Sequence, residues 1–334
     1  MENTVSKAID EIDSEIISEE TAAESSKAIA DIVANIETII KGKHWQVELC
    51  VLCLIAEGHV LIEDIPGVGK TSLVSALAKS VDCGYKRIQF TPDVMPSDVT
   101  GFSIYNQKTG EFEFRPGAAM SNIILADEIN RASAKTQSAM LEIMEERQVT
   151  VDGKTYVMAP PFMVLATQNP IDSLGTYKLP EAQIDRFMIK MSIGYPEFGD
   201  EVKVVMSGRR AKAEIQKVTD SAAVNTLIDR CNHVLVDDTV ASYIVRIVEA
   251  TRSNADIRLG ASPRGSISLH ALSRAYALAR GRNYVLPDDV KTLAPYVLAH
   301  RIMLSQSAKT EKKDPADIIR GIVNRVVVPI SKSE

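Results

Sequence analysis

The sequence predicts an α/β fold: a parallel-sheet core interrupted by β-hairpin inserts and followed by an all-α second domain. Three observations predict it. Short apolar runs of strand length alternate with helix-period segments as far as residue 196, the pattern of a doubly wound sheet. A glycine-rich loop at 65–71 (IPGVGKT) lies between an apolar run and a helical one, the order a phosphate-binding unit requires. After Tyr195–Pro196 the periodicity is helical and no segment reads as a strand.

Taken in order, Ile29, Ile32, Val33, Ile36, Ile39 and Ile40 recur every three or four residues and make 26–43 an amphipathic helix. Residues 47–57 are a more apolar helix, 59–63 (HVLIE) a short strand, and 72–80 the helix after the glycine loop. The runs 87–90, 123–126 and 162–166 read as buried parallel strands, 188–193 as a fourth, and 134–147 as a helix between them. Two hairpins interrupt this alternation, 102–114 turning at 107–110 and 149–157 turning at Asp152–Gly153. Beyond residue 196 the helices are 221–235, 239–253, 266–280, 287–300 and 315–328. The expected division is an acidic tail at 1–25, a core at 26–196 and a lid at 197–334.

Composition excludes several classes. Of 334 residues 45% are hydrophobic and 25% charged, an ordinary globular balance. The apolar runs are too short to cross a bilayer, and the N-terminus lacks a basic region followed by an apolar stretch. Four cysteines in so long a chain make no disulfide scaffold and suit a reducing cytoplasm. The net charge of −6 is uneven: residues 1–25 hold eight acids and Lys7, a charge of −7, leaving about +1 on the remainder. That tail reads either as a solvated terminus or as a regulatory, partner-binding arm.

Four motifs carry chemistry. In Pro66-Gly67-Val68-Gly69-Lys70-Thr71-Ser72 the glycines let backbone N–H groups turn inward around a phosphate at a helix N-terminus. Lys70 can neutralise β/γ oxygens and the Thr71 hydroxyl can hold Mg²⁺. The strict spacing G-x-x-x-x-G-K-[ST] asks for glycine at position 64, where this chain has Asp64. Residues 123–128 (IILADE) bury a strand and deliver two carboxylates at its C-terminal end, where ligands sit in an open α/β sheet. Asp127 would hold Mg²⁺ through water, and Glu128 would orient or activate an attacking water. At the end of the next strand Asn169 is a neutral donor placed for a γ-phosphate or that water, in a dipeptide, Asn169–Pro170, that by itself reads as a turn. Fourth, in 179–187 (LPEAQIDRF) a helix ends at Arg186 just before a strand.

These segments resemble the MoxR-type AAA+ ATPases of the helix-2-insert clade. The resemblance spans 29–300 and is carried by RIQFTPDVMPSDVTG (87–101), FRPGAAMSNIILADEINRASAKTQSAMLEIMEERQVT (114–150), ATQNP (166–170) and LPEAQIDRF (179–187). It implies an ATP-hydrolysing, chaperone-like remodelling enzyme that uses ATP and Mg²⁺ at sites completed between the subunits of a ring, expected to be a hexamer. Asn169 matches the family's sensor 1, Arg186 its arginine finger, and Arg264 in ASPRG (261–265) its sensor 2 in the lid. The hairpins match the helix-2 insert and the pre-sensor-1 insert, and an acidic residue at position 64 is familiar in the family. The stretch 41–45 (KGKHW), where related sequences read more like VGQ-E, departs from the family at residues expected to flank the adenine. The implied client or adaptor is a protein with a von Willebrand factor A domain, or a metalloenzyme or envelope complex under assembly. Neither membrane insertion nor nucleic acid is expected.

Arg131 either bridges to an adjacent subunit or pairs with an acid of its own chain. Cys50 and Cys53 have CxxC spacing but no second pair, so they read as helix core. Seven arginines against two acids in 246–282 make a +5 stretch that reads as a subunit-facing or solvated surface. The rival readings are a magnesium-chelatase-like subunit, a nucleic-acid motor of the same clade, and, from another class, a non-hydrolysing nucleotide-switch scaffold.

Overall fold

The computed structural model describes residues 16–169, 177, 179–207 and 215–328. Most of the acidic tail and Pro170 lie outside the described residues. The elements are α1 (Glu19–Glu37), α2 (His44–Ile55), β1 (Val60–Glu63), α3 (Lys70–Ser80), β2 (Tyr85–Gln89), α4 (Pro96–Thr100), β3 (Gly101–Asn106) and β4 (Glu111–Pro116). There follow β5 (Ile123–Asp127), α5 (Ala134–Glu146), β6 (Gln148–Val151), β7 (Lys154–Val157), β8 (Met163–Gln168), α6 (Glu181–Ile184), β9 (Ile189–Met191) and α7 (Phe198–Ser207). The rest is α8 (Ser221–Asn232), α9 (Asp238–Arg252), β10 (Ile257–Leu259), α10 (Pro263–Ala279), α11 (Pro287–Leu298), β11 (Met303–Leu304), α12 (Gln306–Thr310) and α13 (Pro315–Arg325). The chain divides into two compact units, one of residues 32–224, the other joining the segment that ends at Asp31 to residues 225 onward.

The first unit is built on a five-stranded parallel sheet in the order β2-β5-β8-β1-β9. Every residue of β5 is buried, as are the first five of β8, because both strands have neighbours on each edge and packing on each face. The chain direction across the sheet reverses at β1, which lies between β8 and β9, so a crevice opens at the C-terminal ends of β1 and β8. The run 87–90 reads as a buried strand, yet β2 is an edge strand with Lys86, Arg87 and Gln89 exposed and Ile88 turned inward. Two adjacent cations are the signature of an edge, where one row of backbone groups stays unpaired.

Beneath β1, His59 fixes the lower end of the sheet. Its Nε2–H donates to the Met144 carbonyl at 2.9 Å, and its Nδ1 accepts from the Val164 amide at 3.0 Å. Because the amide can only donate, the ring is held neutral in one tautomer. Burial, the main cause, pushes the imidazole down to about 4.

Both hairpins form. Asp152 and Gly153 both take positive φ, 50° and 75°, the two-residue turn that matches strand twist. The inserts meet through Phe114 of β4 and Tyr156 of β7, whose rings stack with centroids 3.9 Å apart. At the base of the first hairpin, Gly117 lies against backbone: a Cβ there would stand 2.3 Å from the Val99 carbonyl oxygen.

The second unit is helical, with Tyr243, Ile247, Leu272, Leu293 and Ile319 in its interior. Arg282 grips the buried Asp289 with two hydrogen bonds, 2.8 and 2.7 Å. The structure adds an antiparallel pair, β10 with β11, to a region read as strand-free. Three- and two-residue strands are too short to show a period. Helix α1 also begins earlier than its apolar period suggests. Ala22 and Ser25 are buried, Ser26 Oγ donates to the Ala279 carbonyl at 2.7 Å, and Asn283 Nδ2 donates to the Ile17 carbonyl at 2.9 Å. With Arg230 on Ser25 Oγ and Glu24, the end of the acidic segment is attached to the lid helices.

Candidate functional site

The turn from β1 into α3 is shaped by two glycines. Gly67 and Gly69 have φ of +90° and +93°, in the left-handed region that side-chain-bearing residues avoid. Gly69 is the cap before α3, so the free N–H groups of the helix's first turn face the crevice with the positive end of its dipole. The Lys70 ammonium lies over the loop, donating to the carbonyls of Asp64 at 2.7 Å and Ile65 at 3.3 Å.

Asp64 does not behave as a misplaced glycine. It is 6% exposed and outside the left-handed region. Its Oδ2 accepts from the amides of Ile193 at 2.7 Å and Gly194 at 2.8 Å and from Ser192 Oγ at 3.1 Å, while Oδ1 accepts from the Ile65 amide at 3.0 Å. The carboxylate thus ties the start of the glycine loop to the chain leaving β9. Nearby, Lys43 Nζ donates to the Tyr195 carbonyl at 2.7 Å, and Gly42 lies directly against Asp200, so the stretch 41–45 is fastened to that same linker.

Two strands across, β5 ends in Asp127, and Glu128 follows with φ 57° and ψ 47°. Thr167 of β8 secures both: its hydroxyl donates to Asp127 Oδ1 at 2.6 Å and accepts from the Glu128 amide at 2.8 Å. Glu128 Oε2 accepts from Gln89 Nε2 and pairs with Arg131 Nε, each at 3.0 Å. Of the two readings of Arg131, the ion pair within the chain is therefore present.

Together Pro66, Gly67, Gly69, Lys70, Thr71, Ser72, Arg87, Gln89, Asp127, Glu128 and Asn169 line one cleft of about 350 Å³. Val68 belongs to the loop but is not among the lining residues. Arg186 is not either; it follows α6 and its Nε pairs with Glu145 Oε2 at 2.9 Å, at the end of α5. Arg264 is in the other unit, exposed on the first turn of α10, where its amide donates to Ser262 Oγ at 3.2 Å. Arg87, Gln89 and Thr167 also serve the site, outside the residues that the motifs single out. The alternation of Arg87 with Gln89 was the available signal for the first two; nothing in the pattern marks Thr167.

Among the described residues no group of three His, Cys, Asp or Glu could hold a metal unaided. Thr71 and Asp127 offer a hydroxyl and a carboxylate to the cleft, hard oxygen donors that suit Mg²⁺ when phosphates and waters complete its shell. The residues therefore fit the ion as an accompaniment to a nucleotide. Cys50 and Cys53 are buried in α2 with no such cluster, and burial pushes the Cys50 thiol up to about 12. No helix among the described residues is long and apolar enough to cross a membrane.

Comparison with known proteins places these features. The family model for the ATPase family associated with various cellular activities (AAA) matches residues 59–189, and the AAA lid domain model matches 249–322. The Bacillus subtilis protein YeaC is 51% identical over 304 residues, covering 90% of this chain and 95% of YeaC. Chaperone MoxR1 of Mycobacterium tuberculosis is 39% identical over 306 residues, covering 89% of this chain and 81% of MoxR1. A crystal structure of a Cytophaga hutchinsonii protein, 39% identical, superposes with a TM-score of 0.87 over 93% of this chain and 98% of that one.

Proposed function

The chain belongs to the MoxR family of AAA ATPases, and from that premise we propose that it hydrolyses ATP in the cleft between α3, β5 and β8 to remodel a client protein complex. Family membership implies nucleotide binding and ATPase activity. The reading is carried by one observation: Lys70 and Thr71 at a helix N-terminus face Asp127 and Glu128 across a single cleft.

In this reading the loop amides and Lys70 bind the β- and γ-phosphates, and Thr71 and Asp127 hold Mg²⁺, which supplies charge neutralisation at the phosphate oxygens. Glu128 accepts a proton from, or orients, the attacking water, and Asn169 donates to that water or to the γ-phosphate. Arg186 reaches the γ-phosphate of a neighbouring subunit in a ring, expected to be a hexamer, and Arg264 serves as sensor 2 from the lid. The core is assigned to residues 26–196 and the lid to residues 197–334. The client or adaptor carries a von Willebrand factor A domain, and the setting is the cytoplasm.

The test is Glu128→Gln. Nucleotide binding should be retained while turnover falls by roughly 10²–10⁴-fold; equal loss of binding and turnover refutes the assignment. Mixing Arg186→Ala with Glu128→Gln subunits should restore part of the activity if Arg186 acts in trans. Absence of rescue at every ratio refutes the intersubunit site. Capture with the Glu128→Gln variant in ATP identifies the client, and a captured protein without a von Willebrand factor A domain refutes that part.

A further inference from the structure

Asp127 and Glu128 are joined by a second route besides the backbone between them. Strand alternation puts Arg87 and Gln89 on one face of β2, and the parallel register sets Gln89 opposite Asp127. Arg87 donates to Asp127 Oδ2 through Nε at 3.1 Å and Nη2 at 2.6 Å, and Nη2 also donates to Gln89 Oε1 at 2.6 Å. A guanidinium only donates, so the Gln89 amide must turn its oxygen toward Arg87 and its NH₂ toward Glu128. That NH₂ does donate to Glu128 Oε2, at 3.0 Å. The result is one continuous chain, Asp127–Arg87–Gln89–Glu128.

The two ends of the first link differ in freedom. The Asp127 side chain is 11% exposed and pinned through Oδ1 by Thr167, whereas the Arg87 side chain is 46% exposed on an edge strand. If one partner leaves, it is the guanidinium.

We propose that Arg87 is a displaceable counter-cation of Asp127. It competes with the divalent cation for Oδ2 and, through Gln89, makes the orientation of Glu128 depend on how Asp127 is engaged. The proposal rests on the nucleotide-site reading above. Arg87 neutralises Asp127 while the carboxylate has no other cation, and its charge opposes a second cation at the same oxygen. When Arg87 yields Oδ2 it keeps its bond to Gln89 Oε1, so the amide moves with the guanidinium and carries Glu128 to the position it holds beside a bound cation. Arg87 and Gln89 are thus positioning residues that act through the two carboxylates.

The experiment measures equilibrium binding of a fluorescent ATP analogue to the full chain as Mg²⁺ is titrated, alongside steady-state turnover. Arg87→Ala should lower the Mg²⁺ midpoint by about tenfold, because a unit charge beside Asp127 is removed at a half-exposed site. Arg87→Lys keeps the charge without the fork, so its midpoint should stay within about twofold of the parent while kcat falls at unchanged KM. Gln89→Ala should leave the midpoint in place and lower kcat likewise. An unchanged or raised midpoint in folded Arg87→Ala overturns the proposal. Should Arg87→Ala fail to fold, the other two variants decide, and parental kcat in both overturns it. Failure of the parent chain to bind the analogue at any Mg²⁺ concentration overturns the nucleotide-site reading itself; binding without the predicted shift overturns only the role of Arg87.

Discussion

Asp64→Gly would restore the strict glycine spacing of the phosphate loop, and motif logic alone predicts that it is harmless. The structure predicts a large loss. The substitution removes the acceptor of the Ile193 and Gly194 amides, at 2.7 and 2.8 Å, in a region where Ile193 is 3% exposed. Each amide left without its charged acceptor costs about 1–3 kcal/mol. A new glycine adds about 0.5–1 kcal/mol of unfolded-chain freedom, with no left-handed backbone at position 64 to require it. The expected total is about 4 kcal/mol. The sequence holds one tryptophan, Trp45, and it lies in the unit of residues 32–224, so urea unfolding followed by its fluorescence reports on that unit. At about 2–4 °C per kcal/mol, the same change is a fall in Tm of roughly 8–16 °C. Asp64→Asn, which keeps one oxygen for the two amides but presents its NH₂ to the Ile65 amide, should lose about 1–2 kcal/mol. An Asp64→Gly protein within about 1 kcal/mol of the parent would refute the stapling role.

Two further outcomes test other parts of the fold. His59 is neutral in the folded state down to about 4, against 6.5 in the unfolded chain. The unfolded state therefore binds more protons between those values, and stability is present above pH 6.5 and lost as pH falls. The loss from His59 alone should be about 1.5 kcal/mol between pH 6.5 and 5, of about 3 in full; a His59→Gln protein with the same pH slope would refute it. Gly117→Ala forces a methyl against the Val99 carbonyl and the Gly101 amide, at 2.3 and 2.4 Å, and should cost about 1–3 kcal/mol. Hydrogen exchange should show lost protection at the base of the first hairpin, and parental protection there would count against the packing.

Much of the core was legible because its signals are local. The runs at 123–126 and 162–166 are apolar because β5 and β8 are covered on both faces, and the turn at Asp152–Gly153 needs positive φ at both residues. The glycine loop and the pair Asp127–Glu128 were readable for the same reason: each motif is contiguous and its geometry follows from its own residues. Less was visible where burial depends on position in the sheet. The run 87–90 has the hydropathy of a strand, but nothing within four residues says whether a second strand lies beyond it. The strands β10 and β11 were hidden because they are short and pair 44 residues or more apart.

The amino-acid sequence by itself determined the family, the α/β core and the loop and strand that supply Lys70, Thr71, Asp127 and Glu128. Those features depend on neighbours along the chain, so spacing specifies them. Only the tertiary structure decided what each charge faces: Asp64 against the amides after β9, Asp127 under Arg87, Glu128 between Gln89 and Arg131, Arg186 on Glu145. These pairings join residues from separate strands and helices. A Coulomb interaction or a hydrogen bond depends on distance and direction in space, which only the packing of the sheet sets.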